Sequence, residues 1–204
     1  MKPCFYITVG LLMLACNSDI KTVSLRSTSD SSVTAILPLD EISENRVRLI
    51  GRELHLFYGM KVVTLPRKAM PENCRLTNTL RYSANGMLEW LKKQKPADCD
   101  RILGVSTRDI YTRKGSHPHW GIFGLGYRPG VACIVSDNRL MQFGKKTDEF
   151  LTLVTLHEIG HNLGLPHCSK HMSCLMNDAK GTAKTLFNEK KWLCSHCRSL
   201  LRKT

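Results

Sequence analysis

The sequence predicts an α/β fold: a largely parallel sheet that ends in an antiparallel edge strand. Apolar runs of strand length alternate with helical periodicities through the first half of the chain, and a glycine-rich pair of β-like runs follows. A long helical pattern then closes on HEIGHNLGLPHC, residues 157–168, which carries the chemistry.

A chain of 204 residues suffices for one domain with a substantial core. Hydrophobic residues make up 42%, as in ordinary globular proteins, which excludes wholesale disorder. The formal net charge is +13. That bias suits nucleic acid, an anionic membrane surface or an acidic substrate, and equally a plain solvated basic surface. The densest runs, KKQK at Lys92–Lys95 and RSLLRKT at the C-terminus, are short and lack the interleaved aromatics of a single-strand binding surface. No nucleic-acid partner is expected.

The first residues read as an export signal. MKPC supplies a positive charge, and the apolar run from Phe5 to Ala15 is too short to span a bilayer as a helix. LMLAC is similar to the end of a bacterial lipoprotein signal, which makes residues 1–16 a signal ending in a lipidated Cys16 and anchors the protein to a membrane of the cell envelope. An ordinary secretory signal, releasing a soluble protein, is the alternative. Residues 17–32, rich in Ser, Thr and Asp, read as a flexible tether.

From Val33 the elements alternate. VTAILPL (Val33–Leu39) reads as a buried strand, and Glu41–Phe57 places Ile42, Val47, Ile50, Leu54 and Phe57 near helical spacing. Gly59 stops that helix and KVVTL (Lys61–Leu65) is the next strand. A second helix is expected over Thr79–Lys93, with Leu80, Ala84, Met87, Leu88 and Leu91 inward, then a strand at RILGVS (Arg101–Ser106). This order argues for parallel strands with right-handed crossovers. WGIFGLG (Trp120–Gly126) and VACIVS (Val131–Ser136) flank the turn sequence YRPG and suggest antiparallel pairing. Glycines at 121, 124 and 126 suit a sheet edge better than its centre.

The helix expected over Lys146–Leu163 turns Phe150, Leu153, Val154, Leu156 and Ile159 inward. His157 and His161 stand four apart, so both imidazoles leave one face, one turn apart. Glu158 lies about 100 degrees round the helix, placed to reach a metal-bound water without ligating the metal. Gly164 can take the positive φ that reverses the chain, and Leu165 and Pro166 bring His167 back as a third nitrogen ligand. Three protein ligands leave one zinc position open, the arrangement of a catalytic site. In such a site zinc lowers the pKa of its water, and Glu158 is the general base that takes the proton as a peptide carbonyl is attacked.

HEIGHNLGLPH followed by Cys168, then Cys174-Leu175-Met176, then seventeen residues to Cys194-Ser195-His196-Cys197, resembles the archaemetzincins, a metzincin-type family of zinc metallopeptidases. ILPL at Ile36–Leu39, RYSA at Arg81–Ala84, GVSTRDIY at Gly104–Tyr111, FGLG and VACIVSDNRL extend the resemblance. It implies a twisted mixed sheet with an active-site helix, residues 33–164 as the upper and 165–204 as the lower part of one catalytic domain. It implies two zinc ions, one catalytic and one structural, with a peptide or protein substrate, small peptides above all. Met176 becomes the residue of the turn beneath the catalytic zinc, supporting without ligating. Residues 120–127 would pair with the substrate as an added strand. One departure stands out: five residues separate Cys168 from Cys174 where the family has four, and the insertion brings His171 near.

Nine cysteines are present. Given the resemblance, Cys168, Cys174, Cys194 and Cys197 form a four-thiolate structural zinc site; two disulfides are the competing arrangement in an exported protein. Cys133 reads as a buried thiol, and Cys74 and Cys99 flank the second helix and could form a disulfide, which nothing in the sequence requires. A monomer is expected. The rival function is a basic zinc-binding module with a vestigial active site.

Overall fold

The computed structural model describes residues 32–178 and 183–201; the export signal, Cys16 and all of the tether but Ser32 lie outside the described residues. Strand β1 (Val33–Pro38) leads into helix α1 (Glu44–Tyr58) and strand β2 (Lys61–Thr64). Helix α1 starts at Glu44, later than its apolar spacing suggests, because the Ser43 hydroxyl caps the Arg46 N–H. It ends at Gly59, whose φ of 71° lets its N–H return to the His55 carbonyl.

The next helix corrects the sequence reading. Arg81–Ser83 are strand β3, and helix α2 runs from Ala84 to Gln94. Ser83 sets the boundary by accepting the Gly86 N–H as N-cap, and Leu80, expected inward, is 60% exposed. Strands β4 (Arg101–Ser106), β5 (Asp109–Lys114), β6 (His117–Ile122), β7 (Gly124–Gly126) and β8 (Ala132–Ser136) follow, then helices α3 (Thr147–Asn162) and α4 (Ser195–Leu201).

The main sheet has the order β2-β1-β4-β8-β7, parallel throughout except that β7 runs antiparallel to β8. The expected single run over residues 120–126 is divided. Its first part belongs to β6 of a second, three-stranded sheet, β3-β5-β6, and only Gly124–Gly126 form the edge beside β8.

The main sheet is covered on both faces, which is why its strands read as unbroken apolar runs. Ile36, Leu103, Cys133 and Val135 face α1 and α3, while Ala35, Leu37, Ile102, Ala132 and Ile134 face α2. Residues beyond α3, among them Leu165, Leu175, Met176, Leu186 and Leu193, join the first of these cores. Among the described residues no helix is long and apolar enough to cross a membrane.

Candidate active site and metal centres

Helix α3 is buried almost all round, so its two histidines project from a rigid element. Its end is a Schellman motif: the Gly164 N–H bonds the His161 carbonyl at 2.8 Å and the Leu165 N–H bonds Gly160 at 3.0 Å, with Gly164 at φ 91°. That reversal brings His167 back toward the helix. The ligand-capable nitrogens of His157, His161 and His167 lie within 4.8 Å of one another, and His161 Nε2 is 3.2 Å from His167 Nε2. Tetrahedral zinc with Zn–N of about 2.0–2.1 Å needs nitrogens about 3.4 Å apart, so the spacing fits.

Two of the rings are aimed by backbone carbonyls. His157 Nδ1 donates to Leu175 O and His161 Nδ1 to Leu165 O, each at 2.7 Å, which leaves both Nε2 atoms as acceptors for a metal. Burial lowers the pKa of His157 to about 3 and that of His161 to about 4, so both are neutral in the metal-free chain. His167 is exposed, which opens the trio to one side.

Glu158 sits beneath the edge strand. Gly124 and Gly126 both face α3 across that edge: a Cβ at Gly124 would lie 2.8 Å from Glu158 Cγ, and one at Gly126 would lie 2.8 Å from the Glu158 carbonyl oxygen. This close approach, rather than edge position alone, explains the glycines. Burial pushes the Glu158 carboxyl up to about 8, although the nearby Gly126 backbone N–H acts the other way. The three histidines, Glu158 and strand β7 line one open cavity of about 1130 Å³.

The four cysteines predicted as a set also converge. Cys168, Cys174, Cys194 and Cys197 are buried, with all four sulfurs within 4.8 Å of one another. Cys168 Sγ is 3.6 Å from Cys194 Sγ, and Cys174 Sγ is 3.8 Å from Cys197 Sγ. A disulfide needs about 2.05 Å. A zinc tetrahedron with Zn–S of about 2.3 Å needs sulfurs about 3.8 Å apart, which these match. Burial pushes the Cys168 thiol up, but the backbone N–H groups of Lys170 and His171 and the neighbouring thiols bring it below its ordinary value. The His171 ring packs edge-on against Trp192 and is a member of neither cluster. Cys74, Cys99 and Cys133 are buried free thiols.

Met176 is fully buried under α3, where a Cβ at Gly160 would lie 2.5 Å from its sulfur. Two groups escaped the sequence reading. Asn162 donates from Nδ2 to the carbonyls of Tyr127 at 2.9 Å and Ala132 at 3.0 Å, clamping the end of α3 to the β7–β8 turn. Asp109 binds Arg81 at 2.7 Å and Arg139 at 2.6 Å, and Arg139 lies under Gly121. Only side-chain reach across some thirty positions links these, so no local spacing marks them.

The family profile described as Peptidase family M54 matches residues 36–203. The chain is 24% identical to the archaemetzincin of Halobacterium salinarum over 173 residues, covering 80% of this chain and 95% of that one. It is 29% identical to archaemetzincin-2 of Macaca fascicularis over 171 residues, covering 66% of this chain and 47% of that one. The crystal structure of the Methanopyrus kandleri archaemetzincin superposes with a TM-score of 0.73 at 24% identity, covering 85% of this chain and 94% of that one. That of Archaeoglobus fulgidus, complexed with malonate, gives 0.69 at 25%, with coverages of 82% and 99%.

Proposed function

Because the chain belongs to peptidase family M54 and is a zinc metallopeptidase, we propose that it hydrolyses short, extended peptides with Glu158 as general base. His157, His161 and His167 are the residues that would hold the catalytic zinc, and Cys168, Cys174, Cys194 and Cys197 those that would hold a second, structural one. Zinc in the histidine trio supplies Lewis acidity, drawing the pKa of a water toward 7 and polarising the scissile carbonyl. The observation that carries the reading is the position of Glu158, which lines the same cavity as the histidine trio yet stands outside it.

On this reading Glu158 takes a proton at its carboxylate as the carbonyl is attacked, then delivers it to the leaving amine. Strand β7 binds substrate backbone along its free edge. Being only three residues long, it can register only a short stretch of peptide. Cys16, lipidated, would hold this activity at a membrane surface; labelling with a palmitate analogue that fails to mark Cys16 would refute that part.

The deciding experiment pairs zinc stoichiometry with hydrolysis of a mixed peptide library by wild type and Glu158→Ala. Two zinc ions in both proteins, with hydrolysis lowered about 10²- to 10⁴-fold in the variant, is the expected result. Near-wild-type hydrolysis by Glu158→Ala would overturn the mechanism, and absence of hydrolysis by zinc-loaded wild type would favour the binding-module reading.

A further inference from the structure

The cavity that holds the histidine trio has one wall the mechanism does not use. Val154, three residues before His157 and so one turn toward the start of α3, lines it, as do Leu186 and Glu189 from the segment that leads to Cys194. Val154 and Leu186 are 6% and 4% exposed and apolar, and Glu189 is 7% exposed. A buried carboxylate ordinarily has a cation beside it. Glu189 does not: its one side-chain partner among the described residues is the Thr185 hydroxyl.

Two of the cations that share a hollow with it are committed elsewhere. Glu189 also lines a smaller hollow of about 420 Å³ on its other side, shared with Arg52, Glu53 and Lys191. Three cations line that hollow, and Glu53 takes two of them, Arg52 at 3.0 Å and Lys191 at 2.8 Å, while the third, Lys190, forms no ion pair with Glu189 among the described residues. Glu189 is left as a desolvated acid between two cavities, and burial raises it to about 7, as expected of a carboxyl without a counter-charge.

Resting on the peptidase reading above, we propose that Glu189 is a specificity-determining residue that selects substrates with lysine or arginine at a position flanking the scissile bond. The chemistry is complementary. A lysine or arginine stem is aliphatic and matches Val154 and Leu186, while its charged end replaces the missing cation at Glu189. A substrate leucine would fill the apolar part and leave the carboxylate uncompensated. A glutamate would place two buried like charges together.

The test uses matched peptides differing at one flanking position, Lys, Leu or Glu, with the Lys-to-Leu ratio of kcat/KM as readout. The ratio is internal to each protein, so partial loss of folded enzyme cancels. Wild type should favour Lys on the order of 30-fold, Glu189→Gln should bring the ratio near one, and Glu189→Lys should favour Glu instead. An equal Lys preference in wild type and Glu189→Gln, or none in wild type, overturns the proposal. Affinity of the same peptides for zinc-loaded Glu158→Gln, alone and combined with Glu189→Gln, is measured by calorimetry. If wild type hydrolyses nothing, the peptidase reading has failed, and the Lys-to-Leu affinity ratio decides the subsite by itself.

Discussion

At the scale of single residues, the burial that suits Glu158 to hold a proton also costs stability. Its carboxyl titrates near 8 in the folded metal-free chain, against an ordinary value of 4.5. Between those values the folded state holds a proton that the unfolded state has released, so this group's stabilising contribution is full below pH 4.5 and is lost as pH rises toward 8. Glu158→Gln removes that dependence. After brief chelation to clear the histidine site, the variant should resist denaturant better than wild type at pH 8, and the gap should close near pH 4.5. Equal denaturation midpoints at both pH values would show that Glu158 is solvated when the metal is absent. Glu158 was legible from its place in the motif, because helix geometry fixes where a neighbour of His157 must lie. Glu189 was not, since nothing in NEKKW distinguishes a buried carboxylate from a solvated one.

At the scale of elements, the site depends on how closely β7 lies on α3 and on how the thiol cluster grips two loops. A methyl group at Gly126 would meet the backbone oxygen of Glu158, which cannot swing aside as a side chain can. Gly126→Ala should therefore cost about 1–3 kcal/mol of stability, read from the urea midpoint, and reduce peptide hydrolysis while leaving the thiol site filled. Unchanged stability would mean that β7 and α3 separate freely. The cysteines act through backbone. Cys168 directly follows His167, and Cys174 directly precedes Leu175, whose carbonyl orients His157. Cys168→Ser and Cys174→Ser should each lose one zinc and weaken the second, whereas Cys194→Ser should lose the first with a milder effect on the other. Metal analysis after gel filtration decides this, and three indistinguishable variants would sink it. Elements were legible where local periodicity coincided with burial, as in α1, α3, β1, β4 and β8. The β5–β6 ribbon was not: its polar, half-exposed residues include Pro118, and its long-range ion cluster, Asp109 with Arg81 and Arg139, leaves no periodic trace.

At the scale of the whole molecule, the two clusters that would hold metal occupy opposite situations in one fold. The histidine trio borders an open cavity, with His167 exposed. The four thiols are at most 3% exposed and belong to the same apolar core as Phe150, Leu156 and Met176. A chelator would reach an ion in the histidine trio directly, but one among the thiols only when that core opens. Zinc release into excess chelator should therefore show two phases: a fast one whose rate rises with chelator concentration, and a slow one that levels off at the core's own opening rate. A single phase proportional to chelator would contradict the burial of the thiol site. A zinc held by the four thiols would thus work as a clock on the fold. It would have to be enclosed as the core first closes, and the time it takes to leave would report how often the native core breathes.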